Sequence, residues 1–153
     1  MNDPKLHLVL IFIAAFFLSS CASQLPPAPA NLQLSGTSWV LQSLDDYEQL
    51  DAVEGEEPIT INFPSNTEVN GYGGCNSYSG SYDADPQTAS IVFTELVSTL
   101  MACESSTLGN LETLYYEALN SAASYEVSTD AIPVTGDTLT VTGGGHTLVF
   151  VTP

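Results

Sequence analysis

Apolar and polar positions alternate through most of the chain after residue 36, and a single stretch breaks that alternation for a helical period. Thr37, Trp39 and Leu41 alternate with Ser38, Val40 and Gln42, a strand with one aromatic face. Ile59, Ile61 and Phe63 alternate with Thr60 and Asn62, and Pro64 ends this second strand. Thr67 to Asn70 opens a third, which runs into Gly71-Tyr72-Gly73-Gly74-Cys75-Asn76. Tyr78, Gly80 and Tyr82 alternate with serines in a fourth, closed by Asp83, Asp85 and Pro86. Ser90 to Leu96 is a fifth, with Ile91 and Phe93 on one face. Leu108, Leu111, Tyr115, Ala118, Leu119 and Ala122 then recur at spacings of three and four, the apolar stripe of a helix. Ser105, Ser106 and Thr107 stand where an N-cap is needed. Tyr125 and Val127 start a further strand, and Asp137 to Thr142 with His146 to Val151 predict a hairpin around Gly143-Gly144-Gly145. Short strands with one late helix predict an α+β, mostly β fold. Its architecture is a small antiparallel β-barrel or strongly curved sheet with one helix packed on it.

The pattern before residue 36 is of another kind. Leu8 to Leu18 is an unbroken apolar run behind a short polar head carrying Lys5. A bilayer-spanning helix needs about twenty apolar residues, so this run is too short to span and instead suits the core of a secretory signal. It ends in Leu18-Ser19-Ser20-Cys21, a branched residue, two small ones and a cysteine, the pattern of a bacterial lipobox. Residues 1–20 are thus expected to be a lipoprotein signal peptide, with Cys21 as the lipidated new N-terminus. Residues 21–35 contain three prolines among small residues and predict a flexible tether, leaving 36–153 as the folded domain. The expected location is the cell envelope, with the membrane reached only through acyl chains such as palmitate. Ala22 and Ser23 follow the cysteine with no aspartate, so the outer membrane is expected where the cell has one.

Charge removes several partner classes. The chain has 18 Asp and Glu against a single Lys or Arg, a formal net charge of −17. Since Lys5 is that one base, the folded domain has none. Such a surface repels nucleic acid and anionic headgroups, and no Arg or Lys clamp is present for phosphoryl transfer. Asp45, Asp46, Glu48, Asp51, Glu54, Glu56 and Glu57 crowd an excursion between the first two strands. They are hard oxygen ligands without EF-hand spacing, which reads as a solvated loop or a loose cation-condensing surface rather than a defined Ca²⁺ site. With no base to pair with, mutual repulsion predicts raised carboxylate pKa values.

With Cys21 acylated, Cys75 and Cys103 remain as an even pair in an oxidising compartment, a disulfide or two free thiols. A bridge would contribute roughly 3.5 kcal/mol by chain entropy. A metal site needs two further soft ligands, and the only histidine of the domain is His146, at a glycine hairpin tip. The glycine-rich segment is the best candidate for a binding loop, or else a tight corner held by Cys75. Asn76 reads as a turn-stabilising side chain. No nucleophile elbow is present, and no catalytic residue, metal or cofactor is expected.

These landmarks stand in a familiar order. Gly36-Thr37-Ser38-Trp39 resembles the opening of the META domain family, the HslJ-like lipoproteins of bacterial envelopes. Gly74-Cys75-Asn76, followed by Gly80-Ser81-Tyr82, is similar to its central motif. Ser98-Thr99-Leu100-Met101-Ala102-Cys103 resembles its second motif, and Gly136-Asp137-Thr138-Leu139-Thr140 with Leu148-Val149-Phe150 its final hairpin. The acidic excursion at 45–57 is not part of that pattern. The resemblance implies a small β-rich envelope domain, a stress- or envelope-integrity role and no established enzymatic activity. An inhibitor or chaperone-like partner of an envelope enzyme is the alternative, its protein partner unknown.

Overall fold

The computed structural model describes residues 33–48, 50, 57–128 and 136–153. Its elements are β1 (Thr37–Leu44), β2 (Thr60–Phe63), β3 (Glu68–Tyr72), β4 (Ser77–Asp85), β5 (Ser90–Ser98), α1 (Ser106–Asn120), β6 (Ser124–Ser128), β7 (Thr138–Gly143) and β8 (His146–Val151). Each strand runs antiparallel to the next, and β8 returns to β1 to close a barrel. Of the two architectures expected, the closed barrel is the one adopted. Leu41 pairs with Phe150 across the closure and Trp39 with Ile61 on the other side of β1. Alternation turns Trp39, Leu41, Ile61, Phe63, Ile91 and Phe150 inward, all buried. Each such side chain contributes roughly 1.5–3 kcal/mol relative to exposure.

Two bulges adjust the pleat. The β1–β8 register shifts between Leu41 and Ser43, so Leu41 and Leu44, three residues apart, both face the core. A second shift lies between Ser79 and Ser81 in β4, opposite Glu95, whose φ is 55°. Gly80 sits inside it. A Cβ there would lie 2.7 Å from Leu96 Cδ2 and 2.9 Å from the Thr94 carbonyl, so the close crossing of the two strands requires glycine.

The helix starts where Ser105 accepts the Leu108 amide, one turn ahead of the apolar stripe. It buries Tyr115, Ala118 and Leu119, and also Glu112. Strands β5 and β6 pair only at Ser90 and Ser124. The helix packs against β5, β7 and β8.

Several boundaries differ from the sequence expectation. Strand β4 continues through Asp83 to Asp85, because both carboxylates point outward and the last one caps the turn, accepting the Gln87 amide at 2.8 Å. The final hairpin turns on Gly144 and Gly145 alone, with φ of 61° and 92°. Leu34, placed with the tether by composition, is buried in the core, and the Gly36 amide donates to the Phe63 carbonyl. Residues 1–32, with the signal run and Cys21, lie outside the described residues, as do Asp51, Glu54 and Glu56 of the acidic excursion.

Candidate functional site

The glycine-rich link between β3 and β4 builds the polar centre of the molecule. Gly71 lies against β2 so closely that a Cβ would fall 2.1 Å from the Thr60 carbonyl oxygen. Gly74 takes a φ of 104°, which turns the chain so that Cys75 and Asn76 face the helix. The Gly73 amide closes the turn onto the Asn76 carbonyl at 2.8 Å. Of the three glycines in this link, Gly71, Gly73 and Gly74, only Gly74 has positive φ; Gly71 is there for close approach.

Cys75 and Cys103 are joined by a disulfide, with Cα atoms 5.4 Å apart and a sequence separation of 28. The bridge ties the β3–β4 turn to the segment leading into α1. Asn76 and Glu112, the two buried polar residues among those described, lie beneath it. The Asn76 backbone amide donates to Glu112 Oε1 at 2.6 Å and its side-chain amide donates to Oε2 at 2.9 Å. The Asn76 side-chain oxygen accepts from Thr99 Oγ1 at 2.8 Å and from the Met101 amide at 2.7 Å. Glu112 Oε2 lies 3.8 Å from Cys103 Sγ. A buried polar group costs little only when every donor and acceptor finds a partner, and here each does. Asn76 therefore does more than hold its own turn: it binds helix, turn and the β5–α1 segment into one unit.

A tyrosine cluster adjoins the hub. Tyr78 and Tyr115 share a hydrogen bond at 2.8 Å, and both reach the Thr60 carbonyl. Burial pushes both phenols up, with the neighbouring Tyr115 ring adding to the effect at Tyr78. Burial also pushes the Tyr116 phenol up to about 12, the Glu112 carboxylate adding to it. These groups stay neutral at physiological pH and serve as hydrogen-bonding core.

Above the hub the surface changes character. Leu100 is 97% exposed and Met101 70%, although both flank groups pinned by Asn76 and the disulfide. Beside Gly74 lies an apolar depression of about 240 Å³ lined by Tyr47, Ile59, Leu108 and Leu111.

His146 is not a lone side chain. Its Nδ1 lies 2.7 Å from Asp45 Oδ2, and Asp45 Oδ1 accepts the Thr147 amide at 2.8 Å. The hydrogen bond to His146, followed by that from Thr147, holds the Asp45 carboxyl below the usual range. Asp85 is lowered too, by the Gln87 amide and the Thr88 hydroxyl. Local donors thus reverse, at these two positions, the upward shift that repulsion alone predicts.

Sequence pattern singled out Gly74, Cys75, Asn76 and Cys103, and the fold gathers all four at one end of the barrel; Gly80 lies apart, on β4 opposite the β5 bulge. It missed Glu112. The signal was present, because a carboxylate at position 112 falls on the same helical stripe as Leu108, Tyr115 and Leu119.

The META domain matches residues 30–153 of the chain. No curated protein matches it in sequence. An NMR structure of a protein from Burkholderia xenovorans is similar at 28% identity and a TM-score of 0.60, covering 86% of this chain and 96% of the other. A second NMR structure, at 22% identity and a TM-score of 0.58, covers 78% of this chain and 92% of its own.

Proposed function

Because the chain belongs to the META domain family, we propose that it is a non-catalytic, lipid-anchored module of the bacterial cell envelope with a stress- or envelope-integrity role. The observation that carries this reading is the apolar run ending in Leu18-Ser19-Ser20-Cys21, followed by a proline-rich tether and a domain without a single Lys or Arg. Each acyl CH₂ buried in lipid is worth about 0.8 kcal/mol, so two or more chains on Cys21 anchor firmly without a spanning helix. Among the described residues, the polar side chains with reactive potential are spent on one another: Glu112 on Asn76, Tyr78 on Tyr115, and His146 on Asp45. Wild-type chain should incorporate labelled palmitate and sediment with membranes, and Cys21→Ser should do neither. Normal processing and tight membrane binding of that variant would sink the reading.

A second reading has its own observation. Leu100 and Met101 stand in solvent on a short segment held at its base by Asn76 and the Cys75–Cys103 bridge, the form of a rigid presenting loop. An inhibitor or chaperone-like partner of an envelope enzyme would use such a loop as its anchor. A photo-crosslinker at position 100 should then trap one defined protein in native salt, and should lose it when the bridge is reduced. Diffuse or bridge-independent crosslinking would leave the general envelope role standing alone.

A further inference from the structure

Cys75 Sγ, Cys103 Sγ and a Glu112 carboxylate oxygen all lie within 4.8 Å of one another. In the oxidised chain the two sulfurs are spent on the bridge. Reduction changes the chemistry of the same three atoms without requiring them to be brought together. A dithiol reductant passes two electrons and two protons to the bridge, yielding two cysteine thiols and its own disulfide. The product is two sulfur ligands and one carboxylate on a preformed framework.

We propose that the reduced chain is a Cys₂Glu site for a soft divalent cation, Zn²⁺ by preference, and that the Cys75–Cys103 disulfide is the metal-free, oxidised state of that site. Tetrahedral zinc holds sulfur at about 2.3 Å and carboxylate oxygen at about 2.0–2.2 Å, which places ligand atoms within about 4 Å of one another. The three donor atoms lie within 4.8 Å of one another in the oxidised chain, and once the bridge is reduced, side-chain rotations that part the two sulfurs reach that spacing. Two thiolates and a carboxylate sum to three negative charges, and the folded domain has no Lys or Arg to offset them. A divalent cation leaves one. Binding releases the two thiol protons to solvent.

The surroundings fit a metal ligand set in two further ways. Asn76 grips Glu112 through both carboxylate oxygens, and Oε2, 3.8 Å from Cys103 Sγ, is the oxygen placed for coordination. Such an outer partner fixes the orientation of a ligating carboxylate. Both cysteines are only partly buried, so reductant and ion reach them from solvent, and water is available for the fourth position. Thiolate donors select Zn²⁺ and Cd²⁺ over Ca²⁺ and Mg²⁺. The site is thus chemically distinct from the acidic excursion.

The test uses full-length chain in detergent, oxidised or reduced with a phosphine under argon, titrated with Zn²⁺ against a chromophoric chelator and with Cd²⁺ by thiolate charge-transfer absorbance. Reduced chain should take up one ion per chain with release of two protons, and oxidised chain none at the same concentration. Glu112→Gln, checked by circular dichroism, should weaken binding by about tenfold or more. X-ray absorption on the zinc-loaded wild type needs no variant and should show two sulfur and two oxygen or nitrogen neighbours. Equal uptake by oxidised and reduced chain would overturn the proposal. So would undiminished binding by Glu112→Gln, or four sulfurs around zinc, which would mean cysteines shared between two chains.

Discussion

Asn76 binds both oxygens of the Glu112 carboxylate, one through its backbone amide at 2.6 Å and the other through its side-chain amide at 2.9 Å. Residues thirty-six apart in sequence are thereby fastened inside the barrel mouth, with the disulfide directly above.

Asn76→Ala keeps the backbone bond but strips the side-chain bonds to Glu112, Thr99 and Met101. A buried carboxylate and a part-buried backbone amide lose partners, which should cost roughly 3 kcal/mol in urea denaturation. Asn76→Asp should cost more at pH 7, since two carboxylates then face each other. Like charge raises the folded pKa, so its deficit should shrink as pH falls toward about 5. An Ala variant as stable as wild type would show the hub to be dispensable.

Gly71→Ala and Gly145→Ala separate two uses of glycine. At Gly71 the new methyl meets the Thr60 carbonyl, backbone that cannot step aside without opening β2 from β3. The expected cost is about 3 kcal/mol or more, or failure to fold. Gly145 has open space around its Cβ position and only its φ of 92° to strain, for a cost of roughly 1–2 kcal/mol. Thermal melts that rank the two the other way would contradict the register of β2 and β3.

Asp45→Asn removes charge while keeping a residue that tolerates the φ of 50° found there. The Asp45 carboxyl is held low, so its stabilisation is complete above its unfolded pKa, near pH 4, and is lost as pH falls through its lower folded value. The pair is partly exposed at the surface, and the difference at pH 6 should be only about 0.5 kcal/mol. Melting curves of wild type and variant should converge below about pH 3. A gap that persists there would have a cause other than the charge.

The melting temperature should rise with NaCl, because the screening length falls from about 10 Å at 0.1 M to about 3 Å at 1 M. CaCl₂ at matched ionic strength should trace nearly the same curve, as expected of loose condensation on carboxylates. A jump at low Ca²⁺ alone would reveal a defined cation site in the acidic excursion. A flat NaCl series would show that the charges are too far apart to matter.

Strands were legible wherever two-residue alternation ran unbroken, as from Ile59 to Phe63, and the helix wherever the apolar stripe was complete. Legibility failed where geometry depends on a distant partner. The shift at Leu41–Ser43 exists because β8 lies alongside β1, a pairing across more than a hundred residues that no local pattern encodes. The β5 bulge at Glu95 and Leu96 likewise needs Gly80 of β4 opposite it. At the site, local residue type marked Gly74, Cys75 and Asn76, whereas the role of Glu112 emerges only when the helix is laid across the β3–β4 turn. An acid on an apolar stripe was the clue, and it identifies a buried partner without saying which.

The single rung between β5 and β6 makes the helix a latch. Every other junction of the barrel is fastened by several backbone pairs, whereas this one has a single pair, and α1 packs on the β5 side of it. Were α1 to lift, the upper half of β5 would become a free edge, with unpaired amides and carbonyls ready to recruit a strand from another chain. Amide exchange should therefore begin along this seam before the rest of the barrel opens. The bridge from Cys103 to Cys75 holds the segment entering α1 against the barrel wall. What reads locally as bracing of one turn is, for the whole molecule, protection against strand pairing with other copies of itself.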